Sequence, residues 1–233
     1  MGLFDGIKIR KPIMHQQKGD LVQARAAYEE LYAQGVNLCA YMLPWAVMLL
    51  REGGEENYRK AKEVLVKAQK ASDLTPERRK ELVLDFAVAC FKLGEGEKAV
   101  ELLERQHQKS PSGDTYGALG YIYVAQGDAD KALAFNEQAV DYDDEDPVAL
   151  DNLAQTYYRL LGDKEKALEY FTKAHEYKES QIDTLWFLSR YDLEKGDTKA
   201  AIEKLEKAAN GRFSPLNYKT KAEIEQELAT LRG

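Results

Sequence analysis

The side chains that most often carry catalysis or bind metals are sparse in this sequence of 233 residues. Its three histidines, His15, His107 and His175, lie far apart, and none has a partner at the spacing of metal ligands or of a catalytic pair. Neither a phosphate-binding glycine motif nor a Gly-x-Ser-x-Gly motif is present. Because a function must be argued from a site, we expect no enzyme and no bound cofactor or metal.

The two cysteines, Cys39 and Cys90, stand in apolar stretches and form no Cys-x-x-Cys pair. We interpret them as buried, reduced thiols, which are typical of a cytoplasmic protein. The N-terminus lacks the apolar region of a signal peptide. The most apolar run, residues 38–50, is shorter than the roughly 20 residues that a transmembrane helix needs. The sequence therefore predicts a cytoplasmic protein without a transmembrane helix.

The charge balance is acidic, with 40 Asp and Glu against 33 Lys and Arg and a net charge of −7. Nucleic-acid binding requires Lys and Arg concentrated on one face, so we expect no nucleic-acid partner. The acidic run 141–146 lacks the glycine and glutamate of a calcium-binding loop. We interpret it as a solvated turn.

A pair of glycine and an acidic residue recurs along the chain, beginning at Gly94, Gly127, Gly162 and Gly196. The steps from 94 to 127, 127 to 162 and 162 to 196 are 33, 35 and 34 residues. An alanine follows five residues after each glycine, and the same position is found twice upstream, which gives the series Ala24, Ala61, Ala99, Ala132, Ala167 and Ala201. A period of this size predicts stacked helical hairpins.

The segment from residue 113 to 146 shows the unit most clearly. Apolar residues at helical spacing precede and follow Gly127-Asp128. Gly127 suits the left-handed residue that ends a helix, and Asp128 can accept backbone N–H bonds at the start of the next. The segment therefore predicts a helix, a tight turn and a second helix.

This unit resembles the tetratricopeptide repeat. The family pattern is matched at the residues Tyr116, Leu119, Gly120, Tyr123, Gly127, Asp128, Ala132 and Ala139, whereas Asn136 stands where an aromatic or large residue is usual. The next unit matches more closely, with one extra residue near Leu161. The resemblance implies an all-α fold, an α-solenoid of about six TPR-like helical hairpins with a C-terminal capping helix.

We divide the chain into three parts. Residues 1–18 form an N-terminal arm and a degenerate first helix, because Gly6 and Pro12 interrupt the helix expected there. Residues 19–211 form the TPR-like solenoid. Residues 212–233 contain the capping helix, which a capping box from Thr220 to Glu223 introduces.

The resemblance also implies a concave groove lined by the first helix of each hairpin. Carried over by repeat position, it predicts a protein-binding groove formed by Phe91, Lys92, Tyr121, Asn152, Gln155, Tyr158, Arg159, Trp186, Phe187 and Arg190. Tyr, Trp and Arg are the residues that most often dominate binding energy. The function expected is a non-catalytic scaffold or adaptor that binds a protein or peptide segment. Only Asn152 fits the family's carboxylate clamp, so we expect no binding of chaperone tails.

The sequence leaves three alternatives to this interpretation open. Trp186 and Phe187 could pack between hairpins or under the C-terminal helix, as helical aromatics usually do. The solenoid could associate with itself through its truncated N-terminal end, which would make the protein a structural homo-oligomer. The apolar and basic residues of the first eleven positions could also contact a membrane surface. A frayed terminus is the more common case, so we do not expect membrane contact.

Overall fold

The computed structural model describes the chain from residue 3 to residue 233, with side-chain detail from residue 9 onward. Within that range every regular element is a helix, which confirms the all-α fold. The helices are α1 (Leu3–Gln17), α2 (Leu21–Ala33), α3 (Cys39–Glu52), α4 (Glu55–Ala68), α5 (Pro76–Lys92), α6 (Gly96–Lys109), α7 (Gly113–Gln126), α8 (Ala129–Tyr142), α9 (Pro147–Gln155), α10 (Lys164–Tyr177), α11 (Ile182–Glu194), α12 (Thr198–Ala209) and α13 (Lys221–Arg232).

Helices α1 to α12 form six consecutive hairpins, and α13 follows them, as predicted. The recurring alanine lies on the second helix of each hairpin. All six members of the series are fully buried, with 0 % of their surface exposed: Ala24, Ala61, Ala99, Ala132, Ala167 and Ala201. A small side chain at this position allows the paired helices to approach closely.

The turn inside a hairpin has the chemistry that the Gly-Asp pair predicts. Gly127 ends α7 with φ of 84°, a left-handed conformation that a side chain rarely adopts. The Asp128 carboxylate then accepts the backbone N–H of Lys131 at 3.1 Å and so caps α8. The same cap is formed by Asp20, Asp163 and Asp197.

The contacts divide the chain into two compact units, residues 1–106 and residues 107–233, with the division inside α6. In the first unit the largest buried side chain is Trp45, whose ring stacks on Tyr28 with ring centres 5.9 Å apart. Cys39 and Cys90 are buried free thiols, as predicted. None of the described helices is both long and apolar enough to cross a membrane.

The expectation of an incomplete first helix is wrong. α1 runs without interruption from Leu3 to Gln17 and contains Pro12. An internal proline removes one helical hydrogen bond, which weakens a helix in isolation. α1 packs against α2 and α3, and such tertiary contacts supply most of the stability of a helix in a protein. Pro44 lies inside α3.

In the second unit, a π-helical turn (Thr156–Leu161) lies between α9 and α10. A π-helical turn accommodates one more residue than the same stretch of α-helix. It therefore absorbs the extra residue that lengthens the repeat step from 127 to 162. Gly162 then ends the helix in a left-handed conformation, with φ of 71°.

The C-terminal helix α13 has the predicted capping box. The Thr220 hydroxyl accepts the Glu223 backbone N–H at 3.3 Å, and the Glu223 carboxylate accepts the Thr220 backbone N–H at 2.7 Å. Ile224 and Leu228 are the buried residues of α13, and they join an apolar cluster that contains Leu185 and Leu205. α13 thus covers the end of the last hairpin, as a capping helix does.

Candidate peptide-binding groove

In the second unit, residues of α7, the π-helical turn and α11 contact the segment that joins α12 to α13, and α9 packs against α7 beside them; we call this surface the candidate groove. Two glycines of α7 allow its neighbours to approach. The Asn152 side-chain amide donates to the Gly117 carbonyl oxygen at 2.9 Å, which fixes α9 against α7. A methyl group at Gly120 would lie 2.1 Å from the Asn136 side-chain oxygen and 3.0 Å from the Asn152 side-chain nitrogen, so one of these side chains would have to move. The two glycines therefore let side chains of α8 and α9 pack directly against α7.

A chain of hydrogen bonds connects a buried carboxyl group of α9 with a guanidinium group. Asp151 is 2 % exposed and accepts hydrogen bonds from the Thr184 hydroxyl at 2.5 Å and from the Gln155 amide at 2.7 Å. The Gln155 side-chain oxygen in turn accepts from Arg159 at 2.9 Å. The buried carboxylate thus orients Gln155, and Gln155 orients Arg159.

The groove holds residues of the chain's own connecting segment, residues 210–220, which joins α12 to α13. Asp183 is 4 % exposed, and both of its carboxylate oxygens lie 3.0 Å from the backbone nitrogen of Tyr218. From α7, the Tyr121 hydroxyl donates to the Asn217 carbonyl oxygen at 3.1 Å. The main chain of this segment is therefore bound at one N–H donor and at one carbonyl acceptor.

Aromatic contacts hold the Tyr218 side chain. Its ring stacks on Phe187, with ring centres 5.2 Å apart, and meets Trp186 edge to face at 5.3 Å. The Arg159 guanidinium lies 4.3 Å from the centre of the Tyr218 ring, a cation–π contact. Lys219 follows, with its ammonium group 5.2 Å from the Trp186 ring centre. The groove thus has one site for an aromatic side chain and one for a cation beside it.

Helix α13 is held at the same end of the groove. The Trp186 indole N–H donates to the Glu227 carboxylate at 2.9 Å, and Arg190 forms an ion pair with the same carboxylate. The Arg190 guanidinium also lies 4.6 Å from the Trp186 ring centre. Trp186 and Arg190 therefore fix the capping helix as well as the groove.

Two buried carboxyl groups give the groove unusual electrostatics. Burial raises the pKa of Asp151. Burial raises the pKa of Asp183, and the charge of the neighbouring Asp151 raises it further. The hydrogen bonds that each group accepts act in the opposite direction. Both groups consequently keep a proton at higher pH than an exposed aspartate does.

Comparison with known proteins agrees with the repeat pattern. The family model described as "Tetratricopeptide repeat" matches residues 113–146, and a second model with the same description matches residues 149–181. The chain is a tetratricopeptide repeat protein. No curated protein matches its sequence significantly.

Solved tetratricopeptide repeat proteins have the same fold. One from Parabacteroides merdae ATCC 43184 is 12 % identical and has a TM-score of 0.78, with 98 % of this chain and 84 % of that chain covered. PilW, a type IV pilus biogenesis factor, is 20 % identical with a TM-score of 0.61, and 97 % and 100 % are covered. YrrB, described as having an unusual peptide-binding site, is 20 % identical with a TM-score of 0.51, and 76 % and 88 % are covered. At these identities the likeness concerns the fold.

Eight of the ten residues predicted for the groove lie in the second unit of this tetratricopeptide repeat protein. Five contact the connecting segment or α13, namely Tyr121, Arg159, Trp186, Phe187 and Arg190. Tyr158 packs against Phe187, while Asn152 and Gln155 are buried and hydrogen-bonded beneath. Phe91 and Lys92 lie on α5 of the first unit, where both are half-buried. The alternative for Trp186, packing under the C-terminal helix, also describes its place.

The prediction missed Asp183 and the connecting segment. The signal for Asp183 was available, because it occupies the second position of its repeat, one of the positions that line the groove in tetratricopeptide repeats. The segment carries Phe213, Leu216 and Tyr218 in a stretch without helical periodicity. Apolar side chains in an irregular stretch need a surface to cover them, but the sequence does not indicate which one.

Proposed function

We propose that this protein is a non-catalytic scaffold that binds an extended segment of a partner protein in the groove of its second unit. Tetratricopeptide repeats generally mediate protein interactions, which supports the class of function. The groove residues are the side chains that we propose to bind the partner segment.

One observation carries the proposal, namely that the groove already holds an irregular peptide segment. Asp183 accepts a main-chain N–H group, Tyr121 donates to a main-chain carbonyl, and the Phe187 ring stacks on a tyrosine. In peptide recognition, main-chain hydrogen bonds provide affinity and side-chain pockets provide specificity. A groove that provides both to its own chain has the chemistry needed to bind a segment of another protein.

The buried acids fit binding better than catalysis. Asp151 and Asp183 are each occupied by donors of the chain itself, and the most exposed groups of the groove are aromatic rings and guanidinium groups. Arg and aromatic side chains are enriched among the residues that dominate interface energy. The proposed role therefore needs no reacting group.

The test is selection and mapping on the full chain. A displayed library of disordered protein segments is selected against the immobilised protein, and each selected peptide is then synthesised with a photo-crosslinking residue. We expect crosslinks on α7, α9 or α11. Selected peptides that crosslink only to the first unit, or a selection that yields no binding peptide, would refute the groove as the binding site.

Self-association is a second candidate, favoured by apolar exposure at the turn between α1 and α2. Val22 is 78 % exposed, and Met14 and Leu21 are 52 % and 42 % exposed. Exposed apolar side chains that cluster mark association surfaces. Sedimentation velocity over a hundredfold range of concentration tests this candidate, with a Val22→Lys variant as comparison. A constant monomer mass for both proteins would eliminate it.

A further inference from the structure

The connecting segment is longer than a link between α12 and α13 requires. Within the second unit, α8 and α9 are joined by the four residues 143–146, and α10 and α11 by residues 178–181. The connection from α12 to α13 runs from residue 210 to residue 220. Most connections between helices in compact domains have roughly 2–8 residues. The additional length lies in the groove, where it forms contacts of its own.

Those contacts are concentrated in three consecutive residues. Asn217 supplies a carbonyl oxygen to Tyr121, the Tyr218 backbone supplies an N–H donor to Asp183, and the Lys219 ammonium group lies near the Trp186 ring. The Tyr218 ring fills the space between Phe187, Trp186 and Arg159. Residues 217–219 therefore contact the groove as a short bound peptide would, although they belong to the same chain.

The groove is built more firmly than its occupant. Asp183 is 4 % exposed and Phe187 is 1 % exposed, and both lie on a regular helix. By contrast, none of residues 210–220 is fully buried, and none belongs to a helix. Segments outside regular secondary structure open at lower free-energy cost than packed helices do. A segment that can open while its site stays folded can be replaced by another ligand.

We propose that the connecting segment is an intramolecular ligand that a partner segment of the same chemistry displaces. This inference rests on the proposed function and specifies it. The partner supplies an extended stretch in which an aromatic residue is followed directly by a basic one, as in Tyr218-Lys219. The aromatic ring stacks between Phe187 and the Arg159 guanidinium, the basic group lies over Trp186, and Asp183 accepts a main-chain N–H group. Access to the groove is governed by release of residues 217–219.

The experiment uses the full chain and a labelled peptide of residues 212–220, RFSPLNYKT. Binding is measured by fluorescence anisotropy for the wild type, for Tyr218→Ala and for the control Tyr177→Ala, which removes a tyrosine that is 51 % exposed on α10. The substitution weakens the hold of residues 217–219 on the groove, which increases the fraction of molecules whose groove is free to bind the peptide. We therefore expect Tyr218→Ala to bind the peptide at least about tenfold more tightly than the wild type. The control should bind like the wild type. A peptide with alanine in place of its tyrosine should lose at least about tenfold in affinity for Tyr218→Ala.

Two further measurements keep the test decisive. Circular dichroism establishes that the variants keep their helices, and Asn217→Ala provides a second release variant that is expected to shift affinity in the same direction. Hydrogen exchange should show a protected Tyr218 amide in the wild type and faster exchange in both release variants. Slow exchange at this amide in a release variant would overturn the account of how the segment is held.

The outcomes separate the two proposals. If the peptide binds the groove of wild type and release variants with equal affinity, displacement is refuted and the scaffold function stands. If the release variants expose the groove, as judged by hydrogen exchange, and still bind neither this peptide nor any library peptide, both proposals are refuted.

Discussion

Replacing Gly120 with alanine tests the close packing of α8 against α7. The new methyl group would lie 2.1 Å from the Asn136 side-chain oxygen, well inside van der Waals contact. Asn136 is 0 % exposed and cannot move freely, because its amide donates to Thr156 at 3.1 Å. The substitution must therefore push Asn136 out of its place between the hairpins.

The expected cost follows from three contributions. Overpacking a core costs roughly 1–3 kcal/mol. Hydrogen bonds lost when Asn136 moves cost about 1 kcal/mol more. The higher helix propensity of alanine returns up to about 1 kcal/mol. We expect Gly120→Ala to lower the free energy of unfolding by about 2 kcal/mol, which corresponds to a fall of roughly 4–8 °C in Tm for a chain of this size.

The assay is urea unfolding followed by circular dichroism, with two comparisons. Gly113→Ala, in the same helix, is the matched control, because its methyl group would lie 3.5 Å from Asp146, an ordinary contact. The double variant Gly120→Ala with Asn136→Ala removes the clashing oxygen. We expect it to be more stable, by at least about 1 kcal/mol, than the sum of the two single effects predicts. A Gly120→Ala protein as stable as the Gly113→Ala control, or additive effects in the double variant, would refute the reasoning.

Three further predictions concern pH, capping and the π-helical turn. Folding raises the pKa of Asp151 and Asp183 above 3.8, so the folded state keeps protons that the unfolded chain has released. The contribution of the two groups to the free energy of unfolding is therefore largest at low pH. It falls as the pH rises from about 4 through the folded pKa values. Urea unfolding from pH 4 to 8 should show this decline in the wild type and a smaller one in Asp183→Asn, and equal declines would contradict it. Asp128→Ala should cost about 1 kcal/mol through the lost α8 cap, whereas Asp144→Ala in an exposed turn should cost almost nothing; equal losses in thermal melts would speak against the cap. Deleting Leu161 should convert the π-helical turn into α-helix at a cost of at most about 2 kcal/mol, and an unfolded deletion variant by circular dichroism would show that the turn is indispensable.

The parts of the fold that the sequence predicts well are those with local causes. The spacing of Ala132 and Ala167 reports helix contacts within one hairpin, and both alanines are fully buried. Gly127 and Asp128 specify their turn through their own backbone and side-chain chemistry. These signals lie within a few residues of the structure they determine.

The parts that were missed depend on contacts between distant residues. α1 keeps its helix through Pro12 because it packs against α2 and α3, which no local rule can anticipate. The unusual Asn136 is explained by Thr156, which lies 20 residues away in the π-helical turn. The Tyr121 hydroxyl donates to a carbonyl 96 residues downstream. The position of a residue in its repeat indicated which side chains line the groove. The sequence contained no comparable signal for the connecting segment that lies in it.

The hydrogen bond from Asn136 to Thr156 also limits how the repeats could be rearranged. In arrays whose repeats meet only through apolar side chains, one module can be duplicated or exchanged for another. Here a buried amide of the fourth hairpin requires a hydroxyl in the fifth, and that hydroxyl also donates to the Asn152 carbonyl oxygen at 2.8 Å. The fourth hairpin transplanted without the fifth would lose the hydroxyl partner of its buried Asn136 amide. The fourth repeat therefore cannot be exchanged independently of the fifth without a cost in stability.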